Sequence, residues 1–259
     1  ALEFSPDAFV LTGDVTAMSS EEEFEDARAA FGPLLDSVPS AVIPGNHDLY
    51  TRGAARQSRM ERFFGPWMGG GTWDEGAGSW VGGTEAGQPV PWPVRFRLGG
   101  TDFVATNPCR PSLRSTGRFA EGAIEAAEQL VARAREDGQQ VVYMLHYPLL
   151  GGDGAPYTRE GHSLEDVDDL LASIQRVPPD LVLHGHKHEC WRVDVDLKSG
   201  GAVPILNCGT SSAVSPLEDR TAGYYIIELE EGRLVSVRRR ILPTGTEVFS
   251  DHPSTFGTA

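Results

Sequence analysis

The chain is short of cysteine, of basic side chains and of long apolar runs, and each shortage removes a class of function. Among 259 residues there are 3 cysteines, Cys109, Cys190 and Cys208. They are odd in number and far apart, so no disulfide framework is implied, and a reducing, cytoplasmic setting is the expectation. No stretch approaches the ~20 apolar residues of a membrane span, and no signal peptide is visible. Lysine and arginine total 22 against 37 aspartates and glutamates, a net charge of −15. Such a surface repels nucleic acid, so no nucleic-acid partner is expected. An anionic small substrate is still allowed, because a metal ion can reverse the local field. The sequence shows neither an internal repeat nor a domain linker. Hydrophobic residues make up 40% of it, enough for one sizeable core over 1–259.

Strands and helices alternate along the chain. "DAFVLTGD", Asp7 to Asp14, is a short apolar run closed by Gly-Asp and reads as a buried strand. "SEEEFEDARAAFGPLL" follows as a helix, with Ser20 as its cap and Phe24, Ala27, Phe31 and Leu34 at helical spacing. "SAVIPGNHD" is a second strand, so the unit is strand, helix, strand, and the two strands are expected to be parallel. Residues 51–93 are rich in Gly and Trp and show no clean period; they read as an irregular excursion that could cap a site, with Trp67, Trp73, Trp80 and Trp92 in it. A hairpin around Gly99-Gly100 comes next, then a helix in "AEGAIEAAEQLVARARED" and a strand ending at His146. "SLEDVDDLLASIQRV" reads as a helix capped by Ser163, and "PDLVLHGHKHE" as the strand after it. "VPILNCGTSS", "GYYIIELEEG" and "RLVSVRRRIL" finish the chain as β structure, with Arg238, Arg239 and Arg240 taken as solvated. The class is α/β, with a largely β C-terminal part.

Four of these strands end in metal-capable residues: Asp14; Asn46 with His47; His146; and His186 with His188. In open α/β sheets ligands bind beyond the carboxyl ends of strands, so residues far apart in sequence would meet on one rim. His186 and His188 are two apart and would share a face of a straight strand. Two imidazoles facing one point repel when charged and are costly to bury when unpaired, which a metal resolves. His184 reads as a packed strand residue or a rim residue. His162, with Arg159, lies in the 151–163 loop, where substrate contacts could sit.

With "GD" at 13–14, "GNHD" at 45–48, "HYP" at 146–148 and "GHKH" at 185–188 in that order, the chain resembles the calcineurin-like metallophosphoesterases. "LTGDVTAMSSEEEFEDARAAF" and "VIPGNHDLY" look like the bacterial branch that includes cyclic-nucleotide phosphodiesterase-like members. The resemblance covers roughly residues 5 to 230 and implies a layered α/β/β/α sandwich of mixed sheets flanked by helices. It implies a metal-dependent phosphoesterase, more a diesterase than a monoesterase, in which a hydroxide bridging two metals attacks phosphorus. By position, Asp14 would bridge both ions. Asn46, His146 and His186 would complete the shell of the second, and His188 would reach the first. His47 would assist the leaving group, with Asp48 orienting it or its loop. The ions would be two of the transition metals that suit nitrogen and oxygen ligands, such as Mn, Fe, Zn or Co. The partner would be a small phosphate ester.

One block departs from that pattern. The family's opening Asp-x-His is missing ahead of Asp14, where only 13 residues stand, so the chain is expected to lack the first strand and most of the first helix of the domain. "SDH" at 250–252 reads as tail. The missing block is what supports the alternative, a metal-poor member of the same fold acting as a binding or scaffold module. The presence of His47 speaks against it.

Overall fold

A computed structural model describes residues 2–252 apart from positions 70, 75, 78, 83, 113 and 219. The first strand, β1 (Phe9–Leu11), leads through the helix α1 (Glu21–Leu35) into β2 (Ser40–Val42), and β1 and β2 pair in parallel. Ser20 caps α1 in a closed capping box. Its side chain accepts from the Glu23 amide, and the Glu23 carboxylate accepts from the Ser20 amide. Phe24, Ala27 and Leu35 form the buried stripe of α1.

The 51–93 segment is more regular than its composition suggests. It holds α2 (Arg52–Arg56), α3 (Arg59–Phe64), a single 3-10 turn over Gly65–Trp67, and a hairpin of β3 (Gly71–Asp74) with β4 (Ser79–Gly82). Met60, Phe64, Trp67 and Met68 are buried, an apolar series at helical spacing that the neighbouring glycines mask. Its first half packs on α1. Phe63 stacks on Phe24 with ring centroids 5.6 Å apart, and the Trp67 indole N–H donates to the Leu35 carbonyl at 3.1 Å. The side chains of Trp73 and Trp80, two of the four tryptophans proposed as a cap, lie outside the described ones.

The main sheet has six strands. β5 (Val94–Leu98) and β6 (Thr101–Ala105) form the hairpin expected around Gly99-Gly100. After the helix α4 (Ala123–Glu136) comes β7 (Val141–Met144), and after α5 (Val167–Arg176) comes β8 (Leu181–His184). β9 (Trp191–Asp196) and β10 (Ala202–Asn207) complete the order β5-β6-β7-β8-β10-β9. The strands β6, β7, β8 and β10 run parallel, while β5 and β9 are antiparallel edges. β7 and β8 are buried throughout, as parallel strands covered on both faces must be. α4 packs on β5, β6 and β7 and on α5, so this is a mixed α/β fold with its main sheet flanked by helices.

Four local expectations are corrected. Helix α5 begins at Val167 with Asp166 at its cap position, not at Ser163, whose carbonyl instead accepts from the Gly117 amide at 3.1 Å. β9 is an additional strand, with only three fully apolar positions of six (Trp191, Val193, Val195) and none of them buried, so its edge pairing rather than its sequence marks it. The C-terminal β11 (Gly223–Glu230) and β12 (Arg233–Ile241) pair as expected, but "SDH" is not tail. Ser250 and Asp251 form β13, a third antiparallel strand on β12, and the His252 amide donates to the Arg239 carbonyl at 2.9 Å. Of the three consecutive arginines, Arg239 is buried at 2% exposure rather than solvated, because strand alternation turns it inward between outward-facing Arg238 and Arg240. Among the described residues no helix is long and apolar enough to cross a membrane.

Phe24 is the joint between α1 and the 51–93 segment. Phe24→Ala should lower the unfolding free energy by about 3–5 kcal/mol, read as a shifted midpoint in urea. A loss under about 1 kcal/mol would show that the segment is anchored elsewhere.

Candidate metal centre

Asp14 stands three residues beyond β1 and Asn46 four beyond β2, while His146 and His186 each stand two beyond β7 and β8. All four therefore lie off the carboxyl ends of parallel strands, two from each sheet. One of the hydrogen bonds that join the sheets there runs from His146 Nδ1 to the Thr12 carbonyl at 2.7 Å. A carbonyl only accepts, so that Nδ1 carries the proton and Nε2 is left with its lone pair.

The same reasoning fixes His186. Its Nε2 lies 3.2 Å from the His162 carbonyl and donates to it, which leaves Nδ1 as the acceptor. His146 Nε2 then faces Asn46 Oδ1 at 3.1 Å and Asp14 Oδ2 at 3.2 Å. His186 Nδ1 faces Asn46 Oδ1 at 2.8 Å and His146 Nε2 at 3.3 Å. The Asn46 amide nitrogen turns the other way, toward Ser115 Oγ at 3.5 Å, which keeps its oxygen on the cluster. Four lone-pair atoms thus converge on one point with no proton among them, an arrangement that fits a cation. Oxygen and imidazole donors without thiolate suit a borderline transition metal.

The titration of these groups reflects the same crowding. Burial alone would raise the Asp14 carboxyl, but His146 and the His47 amide outweigh it and hold it at about 2. Burial disfavours charge on His146, yet the facing Asp14 carboxylate raises its pKa above the usual value. Burial, and then His146, push His186 down to about 3, so it stays a neutral donor of a lone pair.

The backbone around the cluster is shaped for close approach. Asp14 and His186 sit at φ of +57° and +68°, left-handed conformations that a side-chain-bearing residue adopts at a cost of about 1–3 kcal/mol. A Cβ on Gly45 would stand 2.1 Å from Asp14 Oδ1, and one on Gly13 2.5 Å from the Gly45 amide nitrogen. Only glycine at both positions lets the β1 and β2 exits touch.

Asp48 locks that contact. It is completely buried, and its carboxylate accepts from the amides of Asp14, Thr16 and Gly45 at 2.9, 2.9 and 2.8 Å and from the Thr16 hydroxyl at 3.0 Å. Burial and the Asp14 charge push its pKa up to about 6, against the pull of these donors. His47 is half-buried beside the cluster. Its amide donates to Asp14 Oδ1 at 2.9 Å, its ring lies 4.7 Å from the Tyr50 ring, and its Nδ1 donates to the Ala17 carbonyl at 2.6 Å, which leaves Nε2 uncommitted.

Two histidines of the "HGHKH" run stand apart from this cluster. His188 is exposed, and the ligand atoms that gather are those of Asp14, His146 and His186, with Asn46 among them. The left-handed turn at His186 breaks the strand alternation that would have put both histidines on one face. His184 is buried under β10. Its Nδ1 donates to Asn207 Oδ1 at 2.7 Å, and burial lowers its pKa to about 4. Asn207 was not singled out in the sequence, yet its amide nitrogen donates to the carbonyls of Lys187 and Glu189 and so holds the histidine loop. Thr12, Thr16 and Ser115 were missed for a shared reason: Thr12 and Ser115 aim ligands through a backbone carbonyl and a hydroxyl, and Thr16 serves Asp48 through its amide and hydroxyl, none of which carries a motif.

A family model for calcineurin-like phosphoesterases matches residues 2–190. Among solved structures, a dimetal phosphatase from Danio rerio is 12% identical with a TM-score of 0.54, over 93% of this chain and 79% of that one. A purple acid phosphatase from yellow lupin (Lupinus luteus) is 15% identical with a TM-score of 0.53, over 96% of this chain but 46% of that one. At these identities the likeness is one of fold. No curated protein gives a significant sequence match.

Removing the Asp48 carboxylate strands three backbone donors at about 1–3 kcal/mol each. Asp48→Ala should therefore cost at least about 3 kcal/mol in urea denaturation, while Asp48→Asn, which keeps one acceptor oxygen, should cost less. Equal losses would mean that the hydrogen bonds are not what Asp48 contributes.

Proposed function

The chain belongs to the calcineurin-like phosphoesterase family, and on that premise we propose that it hydrolyses a small phosphate ester, a diester in preference to a monoester, at a metal held by Asp14, Asn46, His146 and His186. The observation that carries this reading is the convergence of four unprotonated donor atoms on one point, supplied by four separate strand ends. We assign His188, exposed on the same loop as His186, to a second ion, which Asp14 would share. Bound metal supplies Lewis-acid polarisation of the phosphoryl group and lowers the pKa of water.

The chain's own residues set the rest of the chemistry. His47 is fixed by Ala17 through Nδ1, so its Nε2 is the group available to give a proton to the departing oxygen. Asp48 acts through His47 and Asp14: it fixes the loop that carries the first and the amide of the second, and so holds both in register. The acidic surface is no obstacle to a phosphate, because local cations rather than the net charge of −15 would attract it.

Two variants separate binding from turnover. His186→Ala should lose most of the metal that the wild type retains after dialysis, measured by inductively coupled plasma mass spectrometry; full occupancy would overturn the ligand assignment. His47→Ala should keep its metal yet lose about 10²–10⁴-fold in hydrolysis of bis(p-nitrophenyl) phosphate. A wild type that retains little metal and turns over no phosphate ester would favour the metal-poor scaffold alternative.

A further inference from the structure

Beside the ligand cluster lies a cavity of about 720 Å³ between the loop that follows β6 and the loop that precedes α5. It adjoins the cluster at two points. Ser115 on its wall meets the Asn46 amide nitrogen, and His162 on its wall supplies the carbonyl that orients His186. A group attached to a phosphate held at the cluster would extend into it on this side. Its volume is that of a small-molecule site.

The wall is unusual in what it lacks. Every described side chain lining it is polar or charged, Gly161 apart, so an acyl chain or a stacked base would find no apolar surface to bury. Its charges fall into two groups. Arg110 is already committed, to Glu165 and to the Thr116 hydroxyl. Arg114 is not: its backbone amide donates to Ser112 Oγ, but its guanidinium makes no hydrogen bond or ion pair with a described residue, and neither does the His162 imidazole. Glu160 is the one uncommitted carboxylate on the wall. In a chain with 15 more acidic than basic side chains, a free guanidinium facing a polar cavity next to the cluster is a specific resource.

We infer that this cavity is the subsite for the alcohol portion of the substrate, and that Arg114 selects a small hydrophilic alcohol bearing one further acidic group, a carboxylate or a second phosphate. The guanidinium fork pairs with such a group in two parallel hydrogen bonds. Glu160 accepts from hydroxyls of the same portion and repels a second extra acid, which limits the number to one. The inference deepens the phosphoesterase reading and rests on it for the placement of the phosphate.

A matched pair of probes tests it. 3-Phosphoglycerate and glycerol 3-phosphate differ at one end, carboxylate against hydroxymethyl. Titration calorimetry on the full chain with Mn²⁺ should show 3-phosphoglycerate binding roughly tenfold tighter. The gap should close in Arg114→Gln and widen about twofold to threefold in Glu160→Gln. Both residues are exposed, and circular dichroism checks that each variant is folded. Equal affinities in the wild type, or a preference that survives Arg114→Gln, would overturn the subsite. Hydrolysis of bis(p-nitrophenyl) phosphate and phosphate release from the two probes are followed alongside. Preference with no hydrolysis of either diester or monoester ends the phosphoesterase reading and keeps the subsite, whereas hydrolysis without preference does the reverse.

Discussion

Four atoms that can only accept are held within a few ångströms of one another, and the architecture around them serves that constraint. Asp14 Oδ2, Asn46 Oδ1, His146 Nε2 and His186 Nδ1 would drift apart if their side chains were free. They are not free. The Thr12 and His162 carbonyls each accept the N–H of one imidazole and turn its other nitrogen inward. Ser115 does the same for the Asn46 amide. The ligands are aimed by two main-chain carbonyls and one hydroxyl on the loops around the strand ends, an arrangement often found around metal-binding histidines.

The same constraint explains the backbone. Left-handed Asp14 and His186 and the glycines at 13 and 45 are local departures from easy geometry, and all lie within the cluster or against it. Their cost is met by buried strands on either side, where β2, β7 and β8 are wholly inside. A cation set against the converging lone pairs would offset part of that cost. The candidate subsite differs in kind. It lies on connecting loops and keeps its charges in solvent reach, so it can vary without disturbing the strands.

Much of this was legible in the sequence because it is carried by residue type at a strand end. "GD", "GNHD", "HYP" and "GHKH" mark the positions that the fold brings to one rim, and short apolar runs mark the strands that carry them. What escaped did so for physical reasons. The left-handed turn at His186 cancels the period-2 argument for His188. Glycines concealed the apolar spacing of Met60, Phe64 and Trp67, so two helices and a hairpin read as irregular chain. Arg239 and β9 contradict side-chain polarity, since a buried arginine and an exposed edge strand are both settled by tertiary partners. Asn207 acts on two carbonyls eighteen and twenty residues away, and no local pattern signals that.

The Asp48 carboxylate has a consequence for motion. Its hydrogen bonds tie the segment from Asp14 to Thr16 to the segment from Gly45 onward, and no solvent reaches it. Neither segment can lift away while the other stays, because the one that stays would keep a buried carboxylate bereft of its donors. The exits of β1 and β2 therefore open as one unit, with the amides of Asp14, Thr16 and Gly45 exchanging their hydrogens with solvent at a common rate. Whatever loosens around the cluster, the pair of loops that carries Asp14 and Asn46 moves as a single piece.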